Sequence, residues 1–241
     1  MYPLARRAII ALLLVPSLAS AQQIERGPDP ERPIRGAAGA SFTYGRPVGD
    51  FLRYVDEGYG FDGFLRFNVE PKGILSLKLD GGFLIYGSET KRVPLSTTVG
   101  ARILVDLTTS NNIVWMGFGP QLTLPVGPFR PYANAAIGFS YFFTESSVEG
   151  SDDAFDFANT TNFHHVTFPY GFGWGVIIPF PTTGNAEWGI DFGAMYHGNG
   201  QVRYLREGGI VDLPNGGIIL NPIQRDANLL TYRLGFSVSF R

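Results

Sequence analysis

Cysteine is absent, and histidine, methionine and tryptophan occur three times each in 241 residues. Without a thiol there is no disulfide framework, no thiolate metal site, no cysteine nucleophile and no attachment point for a lipoprotein's acyl anchor. An excess of one charge is missing too: 19 basic side chains stand against 21 acidic ones, a formal net of -2. That balance argues against a nucleic-acid partner, whose phosphates call for a basic patch. Long hydrophobic runs are lacking beyond the N-terminus, so no helix is expected to cross a membrane. Helical periodicity is scarce, with one turn suggested in DFLRYVDE.

The first 21 residues form a unit of their own. Arg6 and Arg7 precede an apolar run from Ala8 to Val15, and Ala19, Ser20 and Ala21 follow Pro16. A basic start, a short apolar stretch and small residues make a secretory signal peptide, cut before Gln22. Residues 22–35, rich in proline and charge, read as a flexible lead-in on the periplasmic side.

From Gly36 onward the chain alternates, and the expectation is an all-β domain over 36–241. In ILSLKLDGGFLIY, Leu75, Leu77, Leu79, Phe83 and Ile85 share one face, and Ser76, Lys78, Asp80 and Gly82 the other. A period of two marks a strand with one apolar and one polar face. Similar runs cover 37–46, 59–69, 74–86, 95–107, 113–124, 131–143, 164–178, 186–197 and 229–240. Two closed sheets fit them: a soluble barrel with its bulky face inside, or a membrane barrel with that face toward lipid. The apolar face carries aromatics and leucine while the other is rich in glycine and serine. A small lumen cannot hold the bulky set.

The polar face also carries Asp62, Arg66, Lys78, Asp80, Arg102, Asp106, Glu187, Asp191 and Arg233. An Arg or Lys facing lipid near the midplane costs ~2 to 4 kcal/mol. Four such residues would cancel about the whole ~5 to 15 kcal/mol that holds a typical fold. These groups are therefore expected inside, as an ionic network that argues against a wide water-filled pore. Tyr44, Tyr59, Tyr86, Tyr141, Tyr170, Trp188, Tyr196 and Tyr232 suit either headgroup-level girdles or ordinary cross-strand pairs.

The chain ends YRLGFSVSFR, in which Arg233, Gly235, Val238 and Phe240 place a polar residue, a glycine and two apolar residues at fixed offsets. This resembles the C-terminal assembly signal of bacterial outer-membrane barrels, although Arg241 follows the final aromatic. With PFRPYANAAIGFSYF and the strand patterning, residues 36–241 resemble small OmpA-type and OmpW-type barrels. The resemblance implies a closed antiparallel transmembrane up-and-down β-barrel in the cell outer membrane. It also implies contact with outer-membrane lipid and with the barrel insertion machinery. Such barrels have an even strand number, yet nine runs alternate. Reading backward, FPTTGN and VGPF make periplasmic turns and 144–163 and 198–228 extracellular loops. The miscount then lies before about residue 112, and eight strands are favoured over ten.

Candidate chemistry is sparse. Glu145, Glu149, Asp152, Asp153 and Asp156 make an acidic loop without the ordered spacing of a calcium site. PNGG in the other loop marks a tight turn of a projecting hairpin. His164, His165 and His197 lie near the extracellular mouth. Pairing around Thr182 and Thr183 sets His197 opposite about Phe168, roughly 10 Å from His165 at ~3.3 Å per residue, too far for a shared metal. Ser140, Ser146 and Ser147 are conceivable nucleophiles, but no motif selects one. The expectation is a monomeric, non-enzymatic barrel without cofactor or metal and with a structural or surface-interaction role. Its rivals are a lipid-modifying barrel enzyme, a small-molecule transporter or narrow channel, and a soluble periplasmic barrel.

Overall fold

The computed structural model describes residues 34–96, 100–124, 128–150, 156–180, 186–213 and 217–240, so the signal peptide and nearly all of the lead-in lie outside it. Among the described residues thirteen strands follow in order: β1 (Gly36–Pro47), β2 (Gly58–Asn68), β3 (Leu75–Ser96), β4 (Gly100–Thr123), β5 (Arg130–Gly150), β6 (Asp156–Thr167), β7 (Tyr170–Pro179), β8 (Ala186–Gly198), β9 (Gln201–Tyr204), β10 (Ile210–Asp212), β11 (Ile218–Leu220), β12 (Ile223–Asp226) and β13 (Leu229–Phe240). Eight of them close an antiparallel ring: β1, β2, β3, β4, β5, β7, β8 and β13, with β13 pairing back to β1 from Leu229 to Phe240. The fold is a closed up-and-down barrel.

The ninth alternating run has a physical explanation. β3 and β4 are 22 and 24 residues long, about twice what a hydrocarbon layer requires. Of the run 95–107, the described residues 95–96 and 100–107 belong to the far ends of β3 and β4, which pair with each other, and not to a further wall strand; 97–99 lie outside the described residues. Together with the outer halves of β5 and with β6, that pair of ends makes a four-stranded wing standing beyond the barrel. Residues 144–150 and 156–163, expected as loop, belong to the wing as paired strand. Alternation persists past the barrel because the wing has two faces of its own.

β6 and β7 occupy one position in the wall. β5 pairs with β6 along its outer half and with β7 along its inner half. The interruption falls at Phe168 and Pro169, where a proline cannot donate to the ladder. The Pro169 carbonyl still accepts a bond from the Gly138 N–H, 3.2 Å.

The faces sort by bulk. Phe61, Leu65, Phe67, Leu77, Leu79, Phe118, Phe172, Trp174, Leu234 and Phe236 all point outward and are exposed. So many contiguous exposed apolar side chains exceed what a water-soluble surface carries and call for an apolar solvent. Tyr44, Tyr59, Tyr170, Tyr196 and Tyr232 stand on this face near its upper edge, with Tyr44 stacked on Tyr232 at 6.3 Å and tilted against Tyr59 at 5.4 Å. Tyr86 departs from the girdle expectation: it is buried inside, where its hydroxyl donates to the Leu205 carbonyl at 3.1 Å. Replacing outward Leu79 by arginine is expected to cost about 2 to 4 kcal/mol in bilayer-inserted protein, read as a lower urea midpoint on folded-to-unfolded gel bands.

One glycine is tied to closure. A Cβ on Gly235 would lie 2.1 Å from the Ala40 carbonyl oxygen, backbone of the neighbouring strand. The first and last strands therefore approach too closely there for any other residue.

Candidate functional site

The lumen is filled at two levels. At mid-barrel, Arg66, Lys78 and Arg233 meet Asp62, Asp80 and Asp191, equal numbers of each sign and all buried or nearly so. Arg233, on β13, is the hub. Its Nη1 lies 3.8 Å from Asp62 Oδ2 and its Nη2 3.8 Å from Asp191 Oδ2. The same Nη2 donates to the Tyr132 hydroxyl at 2.7 Å, and that hydroxyl donates to Asp191 Oδ1 at 2.7 Å. Lys78 Nζ is 3.4 Å from Asp80 Oδ1 and 5.5 Å above the Phe64 ring. Arg66 donates to Thr123 Oγ1 at 3.4 Å. Opposite charge offsets part of the cost of burying these ions, although Asp62 Oδ1, Arg66 Nε, Lys78 Nζ, Asp80 Oδ1 and Arg233 Nε accept or donate no hydrogen bond among the described residues.

Glu187 sits apart from this hub, in a two-pronged pair with Arg130 at 2.5 and 3.0 Å. Arg130 was absent from the sequence expectation because it opens β5 inside PFRPY rather than within an alternating run. Asp106 corrects the expectation outright. It lies on the exposed hairpin of the wing, where Arg92 donates to it at 2.9 and 3.2 Å. Arg102 is in the same hairpin, four residues nearer its tip, and its side chain lies outside the described residues. Neither position belongs to the barrel lumen, since both strands have left the barrel wall by that point.

The Arg92 hydrogen bond holds the Asp106 carboxyl below the usual carboxylate range. The pair therefore stabilises the hairpin above the ordinary value of 3.8 and is lost as pH falls through the lowered one. Both groups are solvated, so salt screens the effect. Acidification through that window is expected to speed amide exchange in residues 89–96 and leave the unfolding midpoint of the barrel unchanged.

Above the ionic level the lumen turns apolar. Leu84, Tyr86, Ile113, Trp115 and Phe142 point inward from the wall, and the segments 51–55 and 199–228 bring Phe51, Val55, Val202, Tyr204 and Ala227 down onto them. Phe51 opens a single 3-10 turn over Phe51–Arg53, where the sequence suggested one helical turn. Its ring meets Tyr86, Phe142 and Tyr204 edge-on at 5.6, 6.4 and 5.1 Å. Burial pushes the Tyr204 phenol up to about 12, so it stays neutral. The signal for this plug lay in apolar residues on the polar parity, Leu84 and Tyr86 continuing the series Lys78, Asp80, Gly82.

The three histidines do not converge. His197 pairs with Gly171, not with Phe168, so the β7–β8 register differs by three residues from the expected one. It is buried, bonded to Thr231 Oγ1 at 3.1 Å and set against Trp115 at 5.3 Å. His164 and His165 pair with Phe143 and Phe142, on opposite faces of β6. The His164 ring lies tilted against Tyr141 at 5.8 Å. Ser140 is buried, and Ser146 is bonded to Thr109 and Asn162. Among the described residues no three His, Asp or Glu side chains stand together in a metal-ligating group. The side chains of the acidic stretch from Glu149 to Asp156 lie outside the described residues.

The assembly-signal positions share β13. Arg233 and Gly235 face the lumen, and Val238 and Phe240 face outward. β10 and β11 flank the PNGG turn, pairing Ile210 with Leu220 and Asp212 with Ile218, while residues 214–216 lie outside the described residues.

No family model and no curated protein matches the sequence. Among solved structures, the chain is similar to Neisserial surface protein A at 13% identity, covering 85% of this chain and 96% of that one with a TM-score of 0.43. It is similar to the attachment invasion locus protein Ail of Yersinia pestis at 13% identity, covering 86% and 99% with a TM-score of 0.44. A major outer membrane protein from Thermus thermophilus is 14% identical over 85% and 99%, with a TM-score of 0.44.

Proposed function

We propose that the protein is an integral outer-membrane β-barrel, inserted as a monomer, non-enzymatic and non-conducting, with a structural or surface-interaction role. The observation that carries this reading is the pairing of an outward apolar belt with a lumen stopped twice, by ions at mid-barrel and by the plug above. Lipid is the solvent such a belt requires. A lumen filled by side chains at both levels supports anchoring more than permeation. The mass beyond the barrel, the wing and the 199–228 excursion, then forms the part that meets the outside. β13 is the strand offered to the insertion machinery, through Arg233, Gly235, Val238 and Phe240.

Two measurements bear on this. The full chain refolded in planar bilayers is expected to give no unitary conductance while showing heat-modifiable gel mobility; stepwise currents would overturn the non-conducting role. Lipid extracts from cells with and without the protein are expected to match by mass spectrometry, and a lipid change abolished by His165→Ala or His197→Ala would restore the enzymatic rival.

A further inference from the structure

The wing has one face unlike the other. On the outer face the cross-strand pairs are Thr90 with Thr108 at 2.9 Å and Arg92 with Asp106. On the opposite face, alternate residues of all four strands line a cavity of about 280 Å³ together with residues 206–210, Asp212 and Ile218. Its floor is a carpet of short hydroxyl and amide side chains: Thr109, Asn111, Thr144, Ser146, Thr160 and Asn162. Leu107, Ile210 and Ile218 add an aliphatic side to the same space.

We propose that this cavity is a binding site for one neutral sugar ring, the terminal hexopyranose of a glycan met outside the cell. Three observations favour that class. The floor groups are held in place by one another, Thr144 Oγ1 donating to Asn111 Oδ1 at 2.6 Å and Asn162 Nδ2 to Ser146 Oγ at 2.7 Å, so the polar surface is formed before any ligand arrives. Charge of both signs lines the rim: Lys91 Nζ is 3.4 Å from Glu89, Glu207 accepts the Ser88 N–H at 2.9 Å, Arg206 lies over the Tyr54 ring at 6.0 Å, and Asp212 adds a further carboxylate, so acidic groups slightly outnumber basic ones. A neutral guest therefore fits better than an anion, and the carboxylate lone pairs accept from hydroxyls. Finally, a hydroxyl-bonding floor opposite aliphatic carbons matches a pyranose, which has polar edges and apolar C–H faces. The volume holds one ring, short of the larger cavities that take drug-sized ligands.

The site deepens the surface-interaction role and rests on that reading, yet its test is separable from membrane insertion. The probes are methyl α-D-glucopyranoside, methyl α-D-galactopyranoside and methyl α-D-mannopyranoside, added to the folded full chain in a sugar-free zwitterionic detergent. Saturation-transfer NMR is expected to detect at least one of them with millimolar affinity. Thr160→Trp, which fills the cavity from an exposed strand position, is expected to weaken it about tenfold or more. Asn162→Leu removes hydrogen bonding at similar volume and is expected to do the same, which covers a failure of the tryptophan variant to fold. Thr90→Val on the opposite face is expected to bind as the unaltered chain does. Transfer to none of the three sugars, or equal binding by Thr160→Trp and the unaltered protein, overturns the site. A barrel that inserts normally and binds no sugar overturns the site alone, whereas a chain that fails to insert overturns the membrane reading.

Discussion

Arg233→Ala is expected to lower the stability of the folded barrel by about 3 to 5 kcal/mol, the cost of leaving buried charges without their partner. The reasoning follows from the hub geometry. Asp62 and Asp191 each lose their nearest guanidinium nitrogen, 3.8 Å away, and the Tyr132 hydroxyl loses its 2.7 Å donor. On the plugged side, buried apolar side chains rather than polar groups stand next to them. Urea titration in detergent micelles, read as folded and unfolded gel bands, measures the loss. Combining Arg233→Met with Asp191→Asn should recover part of it, because the buried charges are then removed rather than orphaned. Arg92→Ala, at the solvated pair on the wing, should leave the midpoint where it was. A cost for Arg233→Ala as small as that of Arg92→Ala would mean that water reaches the hub.

Phe51→Ala is expected to have a similar cost, about 3 to 5 kcal/mol, for a different reason: it leaves a cavity among rings that cannot close over it. Phe51 is fully buried, and three aromatic rings meet its edges or face from β3, β5 and β9. Those strands are fixed by their own ladders, so collapse is limited. Hydrogen exchange in residues 199–228 should accelerate, since Val202 and Tyr204 lose their shared partner. Conductance should remain silent, because the ionic level below still fills the bore. Currents through this variant would show that the plug alone had sealed the barrel.

Much of the wall was legible in the sequence, and the reason is steric. A period of two assigns faces without knowledge of partners, and the bulk of Leu77 and Leu79 against Ser76 forces the direction of the curl. Six of the nine charges expected inside, from Asp62 to Arg233, sit at mid-lumen for that reason, and Glu187 joins Arg130 in a separate pair. The same rule failed for Asp106, because alternation describes any two-faced sheet and does not record where the barrel ends. The plug was hidden for a complementary reason. Phe51, Val202 and Tyr204 lie in connections whose path depends on tertiary contact, and only the inward Leu84 and Tyr86 hinted that an apolar partner was needed. The His197 register was missed by three residues because a turn's length cannot be read from the residues at its centre. The cavity on the wing joins four strands through long-range pairing, which no local pattern encodes.

The three tryptophans offer the most direct test of which face meets lipid. Trp174 and Trp188 point outward and are 56% and 52% exposed, whereas Trp115 points into the lumen and is 5% exposed. Single-tryptophan proteins, made by changing the other two to phenylalanine, can be inserted into vesicles containing brominated acyl chains. Strong quenching of Trp174 and Trp188 with little quenching of Trp115 is the result expected. Quenching of Trp115 with the other two unaffected would mean that the barrel is turned inside out relative to this account.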